Sequence, residues 1–209
     1  MKLYFVRHGQ TYLNKYKRMQ GWADAPLTPE GVAVALETGE RLENIAFDAV
    51  YTSDLGRTQQ TASLILSKNQ FPKDIVPMSA LRESCFGFFE GEEDKLFYSK
   101  VAEKHGISIR DVFLTLDMET ISKDMLELDP FKDVELTSKV RARVLAGLEE
   151  IVSKHGADDQ VLIVTHGNII RTIVNHFAPD IQVMTEIKNS SISTINYSQG
   201  SYQVETFNT

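Results

Sequence analysis

Two unbroken apolar runs constrain the fold most: Leu3-Tyr4-Phe5-Val6 near one end and Val161-Leu162-Ile163-Val164 far along the chain. Short β-prone runs without polar alternation are strands buried on both faces, the mark of a parallel sheet covered by helices. The stretches between them have helical spacing. Thr28-Pro29-Glu30 supplies a helix start, with Thr as N-cap, Pro at the first position and an acid in the first turn. That helix is predicted to reach about residue 45 and to bury Val32, Ala35, Leu36, Gly39 and Leu42. Residues 48–52 and 74–78 read as further strands, and Ser53-Asp54 as the cap of a helix carrying Thr58, Thr61, Ala62, Ile65 and Leu66. A long helix over residues 137–155 is stopped by Gly156, and another spans 167–177. Two last strands, 192–197 and 202–207, meet at a Gln199-Gly200 turn. Strands alternating with helices predict an α/β fold, a three-layer α/β/α sandwich around a mostly parallel central sheet.

Residues 86–135 break the alternation: isolated apolar residues recur at loosely helical spacing among charges, with no strand. The reading is one domain, 1–209, with 86–135 as an inserted helical cap. Lys and Arg number 22 against 29 Asp and Glu, a formal net charge of −7, which argues against a nucleic-acid-binding surface. An acidic protein that binds an anion must gather its cations locally. No apolar run approaches the ~20 residues of a membrane helix. The single cysteine, Cys85, excludes an internal disulfide and a Cys-based zinc cluster. One thiol and no export signal imply a cytoplasmic setting. Oligomeric state is not readable from the sequence.

In sheets of this kind ligands sit beyond the carboxyl ends of the strands. Two strands end there in the same signature, Val6-Arg7-His8-Gly9 and Val164-Thr165-His166-Gly167. One histidine after a strand is most often a satisfied structural residue. Two, each followed by a glycine that lets a ligand approach the backbone, point to one cavity. Arg7 precedes the first histidine, and Arg57 lies in the first turn of a helix, where a cation opposes the macrodipole unless an anion sits beside it. Arginine's planar fork suits phosphate oxygens, although an ion pair of Arg57 with Asp54 is an alternative. Leu81-Arg82-Glu83 places a carboxyl after the third strand. When an imidazole nitrogen attacks a phosphoryl group the leaving alkoxide needs a proton, and a partly buried carboxyl can supply it. The carboxylate can then deprotonate the water that hydrolyses the phosphohistidine. His105, His155 and His176 sit in helical settings and read as structural. Cys85, Trp22, Phe86, Phe88 and Phe89 read as packing or as a pocket wall.

Arg7-His8-Gly9-Gln10-Thr11, Asn14, Gly21-Trp22, Leu27-Thr28-Pro29-Glu30-Gly31, Ser53-Asp54 with Arg57-Thr58 and Thr61, Leu81-Arg82-Glu83 and Thr165-His166-Gly167 together resemble the histidine phosphatase superfamily, also called phosphoglycerate-mutase-like. The resemblance runs in order from residue 1 to about 175 and leaves only the cap unmatched. It implies His8 as nucleophile and Glu83 as proton donor, with Arg7, Arg57 and His166 holding the phosphoryl oxygens. It implies substrate contacts from Asn14, Gln20, Gly21 and Gly167, no metal and no cofactor. The expected partner is a small phosphorylated metabolite. The cations are expected to keep His8 neutral near pH 7.

The same site serves a phosphatase or a mutase. A mutase must grip a second phosphate, and the resembling mutases carry Arg and Tyr after the catalytic Glu and paired arginines in the insertion. Here Ser84 and Phe86 stand in those places, and Arg110 is the only arginine of the cap. Both departures favour water as acceptor, hence a metal-independent phosphatase of phosphomonoesters. Asn168, shared with mutases, pulls the other way. An acidic cap would also repel highly anionic substrates. A non-catalytic phospho-ligand binding protein is the reading from another class, disfavoured because every reactive residue is retained.

Overall fold

The computed structural model covers residues 1–209. In chain order its elements are β1 (Lys2–Arg7), α1 (Tyr12–Lys15), α2 (Pro29–Arg41), β2 (Ala49–Thr52), α3 (Gly56–Leu66) and β3 (Ile75–Pro77). Then come α4 (Asp94–His105), α5 (Ile109–Thr115), α6 (Met118–Leu128), α7 (Thr137–Ser153), β4 (Gln160–Thr165), α8 (Gly167–Phe177), β5 (Ile192–Ser198) and β6 (Ser201–Thr206). The six strands form one sheet in the order β3-β2-β4-β1-β5-β6. The first four of that order run parallel, and β5 and β6 add an antiparallel edge.

The two apolar runs are neighbours. β1 pairs with β4 in parallel, Leu3 opposite Val161 and Arg7 opposite Thr165. Strand alternation sends Leu3, Phe5, Val161 and Ile163 to one face, where they pack with Val140, Val144 and Leu148 of α7 and Ile169 and Ile173 of α8. Tyr4, Val6, Leu162 and Val164 point the other way, onto Leu42 and onto Ala62 and Ile65 of α3. The sheet therefore sits between two helix layers, as the continuous apolar runs require. The hairpin β5–β6 turns at Gln199 and Gly200, both at positive φ (50° and 79°), the twist that a two-residue hairpin favours.

Local details differ from expectation. α2 stops at Arg41, with Leu42 in the capping position and buried under the sheet. α3 starts at Gly56 with Leu55 as N-cap and no side-chain cap bond. Ser53 is thus not its cap; its hydroxyl is used elsewhere. The polar stretch after β1 holds α1, opened by a reciprocal Thr11–Asn14 capping box that the sequence reading passed over.

Residues 86–135 hold α4, α5 and α6. Phe89, Phe97, Val101, Val112, Met125 and Val134 form an apolar core there, joined by Met19 and separate from the two sheet cores. No helix is long and apolar enough to cross a membrane. Phe97 is fully buried, so Phe97→Ala is expected to destabilise the cap by about 3–5 kcal/mol. Because the cores are separate, hydrogen exchange should quicken in α4–α6 while β1 and β4 keep their protection.

Candidate active site

Three adjacent parallel strands, β2, β4 and β1, are followed by Ser53, His166 and His8 at one end of the sheet. The two imidazoles lie side by side, ring centroids 5.2 Å apart and planes at 62°. Both are buried, His8 at 3% and His166 at 0% exposure. His8 Nδ1 is 2.8 Å from the Gly9 carbonyl oxygen. A carbonyl only accepts, so Nδ1 carries the proton and Nε2 keeps its lone pair. The Asn189 amide donates to the His8 carbonyl at 2.9 Å. In His166, Nδ1 accepts from Arg57 Nη2 at 3.0 Å, and Nε2 donates to Ser53 Oγ at 2.8 Å. Ser53 Oγ in turn bonds Thr58 Oγ1 at 2.8 Å. This ring is held neutral from both sides.

Arg57 is almost wholly buried, at 1% exposure. Nη1 donates to the Ala23 carbonyl and to Asp24 Oδ1, at 2.9 and 3.0 Å, and Nη2 donates to the Gly21 carbonyl at 2.7 Å. The loop that supplies those carbonyls is itself clamped by Glu90. One oxygen of Glu90 accepts from the Trp22 and Phe86 amides at 2.8 and 2.9 Å, and the other from Gly21 and Ala23 at 3.0 Å each. Asp54 is not Arg57's partner: it takes Arg82, through two bonds of 2.7 and 2.6 Å. Arg7 donates from Nη1 to the Ile187 carbonyl. The Nε atoms of Arg7 and Arg57 are buried with no hydrogen-bond partner. Two unused buried guanidinium donors, one of them on a residue that lines the cavity, are suited to an anion's oxygens.

Glu83 follows β3 and is buried at 6% exposure. Its carboxylate oxygens accept from the amides of Ser84 (2.9 Å) and Asn168 (3.1 Å). Arg143 of α7 fixes the segment from behind, donating to the Ala80, Arg82 and Glu83 carbonyls while two further nitrogen bonds hold Glu135.

A cavity of about 510 Å³ opens above these groups. Arg7, Asn14, Gln20, Glu83 and Gly167 line it, while His8, Arg57 and His166 lie in the packed layer beneath. Gln20 takes the Thr11 hydroxyl on its carbonyl, and its buried amide nitrogen has no partner. Gly21 does not line the cavity; a Cβ there would lie 2.1 Å from the Ser84 carbonyl, so this glycine permits the loop contact that holds Arg57. The glycine after each histidine serves a different end. A Cβ on Gly9 would come within 2.7 Å of the Gly31 carbonyl oxygen, so this glycine allows chain packing, whereas Gly167 borders the cavity near Arg7. Sequence reading missed Lys17, Arg18 and Arg171, which put three more cations on the cavity wall. It also missed Asp24, Glu90, Arg143 and Asn189. Of the cap's many acids only Asp94 lines the cavity. No group of three or more His, Cys, Asp or Glu side chains has the arrangement of a metal site.

Burial, reinforced by the Arg57 and Arg7 guanidiniums, holds His8 well below the ordinary histidine value of 6.5. The expected effect of the cations is present, but loss of water is the larger cause. His166 is lowered in the same way, by burial and then by Arg57. Burial raises Glu83 above the usual carboxylate value against the opposing pull of the Ser84 and Asn168 amides. Burial also lowers Arg7 to about 10, which leaves it charged at neutral pH.

A sheet end with two imidazoles, buried guanidiniums and a buried carboxyl defines a class of phosphoryl-handling protein. Residues 3–209 match the family described as histidine phosphatase superfamily (branch 1), and the chain belongs to it. Its relatives divide between two activities. A probable phosphoglycerate mutase, GpmB, of Salmonella paratyphi A is 30% identical over 206 residues, covering 97% of this chain and 87% of that protein. The fructose-2,6-bisphosphatase TIGAR of Mus musculus is 31% identical over 208 residues, covering 85% and 77%. The crystal structure of a phosphoglycerate mutase from Bacillus anthracis superposes with a TM-score of 0.92 at 32% identity, covering 100% of this chain and 92% of that one.

A histidine lowered in the folded state is charged more readily in the unfolded chain, so its stabilisation is complete above pH 6.5. It is lost as pH falls from there toward the depressed folded value, by up to about 1.4 kcal/mol per histidine per pH unit. Urea unfolding should therefore show stability falling below pH 6.5, with a shallower slope in His166→Gln. Glu90→Gln replaces one acceptor oxygen by an NH2 group and leaves two amides of the clamp without a partner. Inorganic phosphate binding, measured by isothermal titration, should weaken about tenfold or more.

Proposed function

We propose that the protein is a metal-independent phosphatase that hydrolyses small phosphomonoesters through a phosphohistidine on His8. His8 Nε2 attacks phosphorus while the ester P–O bond breaks, and protonated Glu83 gives its proton to the leaving alkoxide. The Glu83 carboxylate then takes a proton from water, whose oxygen attacks phosphorus as the P–N bond breaks. Inorganic phosphate leaves and His8 is neutral again. Arg7 and Arg57 stabilise the phosphoryl oxygens, joined by His166 once its Nε2–H leaves Ser53 Oγ for the phosphate, so the charge neutralisation often done by a metal is done by side chains. Asn14, Gln20 and the Gly167 amide add hydrogen bonds. The raised Glu83 and lowered His8 suit this division of acid and nucleophile.

The observation that carries water as acceptor is the cap's side of the cavity. It presents Phe86, Tyr98, Phe113 and Asp94 and no cation of its own, so this segment adds no partner for a second phosphate. The second reading, a phosphoglycerate mutase, is favoured by Lys17, Arg18 and Arg171, which also line the cavity, and by two of the relatives. Those three cations also remove the objection that an acidic cap raises to anionic substrates, since the cap's acids mostly face elsewhere.

A panel of phosphomonoesters that includes 3-phosphoglycerate, with and without 2,3-bisphosphoglycerate, separates the readings. Phosphate release is expected, and His8→Ala should lower it about a thousandfold or more. Isomer interconversion without release would make the protein a mutase. In single-turnover experiments with an alkyl phosphate, phosphoenzyme formation should slow as pH rises through the raised value of Glu83, because the acid form is consumed. Glu83→Gln should be slower and lack that limb.

A further inference from the structure

The carbonyls of residues 80–83, which lead up to the reactive carboxyl, are all bonded by side chains. Thr165 Oγ1 of β4 donates to Leu81 at 2.8 Å. Arg143 of α7 takes the other three: Nη1 donates to the Ala80 and Arg82 carbonyls at 2.9 and 2.7 Å, and Nη2 to the Glu83 carbonyl at 2.9 Å. Its remaining donors go to Glu135, Nε to Oε1 and Nη2 to Oε2, each at 2.7 Å. A guanidinium carries five N–H donors in one plane, and here all five are used. The Glu83 carbonyl accepts a further bond from Trp22 Nε1 at 2.9 Å. One turn on, α7 is pressed against the same stretch, where a Cβ at Gly147 would come within 2.8 Å of the Ala80 side chain.

After β3 the chain leaves the sheet, so no ladder fixes its backbone, and these side-chain bonds take the ladder's place. Their common result is the direction of one side chain. The Glu83 carboxylate reaches between the Ser84 and Asn168 amides. A general acid must come within hydrogen-bond reach of the leaving oxygen, and a misplacement of about 1 Å can cost about a hundredfold in rate. The fork itself is seated on the root of the cap. The Glu135 amide donates to the Cys85 carbonyl at 3.0 Å, and Glu135 Oε2 accepts from the Cys85 amide at 3.4 Å. Lysine could keep the charge, but its donors have no fixed plane and cannot span three carbonyls and a carboxylate.

We propose that Arg143, held by Glu135, is the positioning residue that aims the Glu83 carboxyl at the leaving oxygen. The proposal rests on the acid role given to Glu83 in the phosphatase reading. Two esters separate aim from folding: 4-nitrophenyl phosphate, whose leaving group needs no proton, and glycerol 3-phosphate, whose alkoxide does. In single-turnover phosphoenzyme formation, Arg143→Lys should slow the glycerol ester about a hundredfold and the nitrophenyl ester no more than about threefold. Glu83→Gln should show the same split. Glu135→Gln, a smaller change to the same fork, should slow the glycerol ester about tenfold, and it keeps the comparison if Arg143→Lys folds poorly. In both fork variants the decline with rising pH should begin at lower pH, because a carboxyl freed from its buried seat returns toward its ordinary value. Equal losses on the two esters, or none on either, would overturn the positioning role. If the wild type forms no phosphoenzyme from either ester, the acid reading itself fails, and an NMR titration of the Glu83 carboxyl decides the rest. A titration moved down by Arg143→Lys supports the seat set by the fork, and one left in place overturns it.

Discussion

The in-register parallel pairing of β1 with β4 is the constraint on which the rest depends. Arg7 stands opposite Thr165, so the residue after each strand arrives at the same height, and both are histidines. β2 joins on the other side of β4 and brings Ser53 to the same edge. A slip of one residue would send each apolar set to the wrong helix layer and turn the histidines away from each other. The hydrophobic pattern that fixes the register therefore also assembles the reactive edge. Core packing and site geometry are one requirement here.

Electrostatics at that edge turn on which local effect wins. Taking a guanidinium out of water is expensive, and Arg57 offsets it with two carbonyls, one imidazole nitrogen and the single carboxylate of Asp24. Arg7 has a carbonyl at one nitrogen and no carboxylate partner. Positive charge is thus concentrated without being cancelled, as an anion site in an acidic protein needs. Carboxylates show the other side of the balance. Glu83, with two amide bonds, is raised because burial prevails. Asp129, also buried, accepts from the amides of Phe131, Asp133 and Val134 and is lowered. Glu83 is the more deeply set of the two and has fewer donors, and both differences raise it relative to Asp129.

Strands, sandwich and the two strand-end histidines were legible because each leaves a local trace: an apolar run, a helix period, a glycine after a histidine. The positions of Arg57 and Glu83 were legible because each follows a strand. Their partners were not. Glu90 meets Gly21 across 69 positions of chain, and Arg143 meets Glu83 across 60. Both act through backbone amides and carbonyls, which have no sequence signature. Asp54 was the nearer acid to Arg57 in sequence, yet the fold gave it to Arg82 and brought Asp24 in from the preceding loop. The cap's charges misled for a related reason, since composition counts acids without saying which way they face.

Residues 86–135 carry their own apolar core, and that separateness has a consequence for change. Substitutions in α4, α5 and α6 alter the surroundings of the reaction cavity while leaving the packing that sets the strand register alone. Glu90 marks where that liberty stops: it lies just before the cap helices yet grips the loop that seats Arg57. Changes on one side of that carboxylate reshape a cavity wall, while changes to the carboxylate itself unseat the guanidinium behind it.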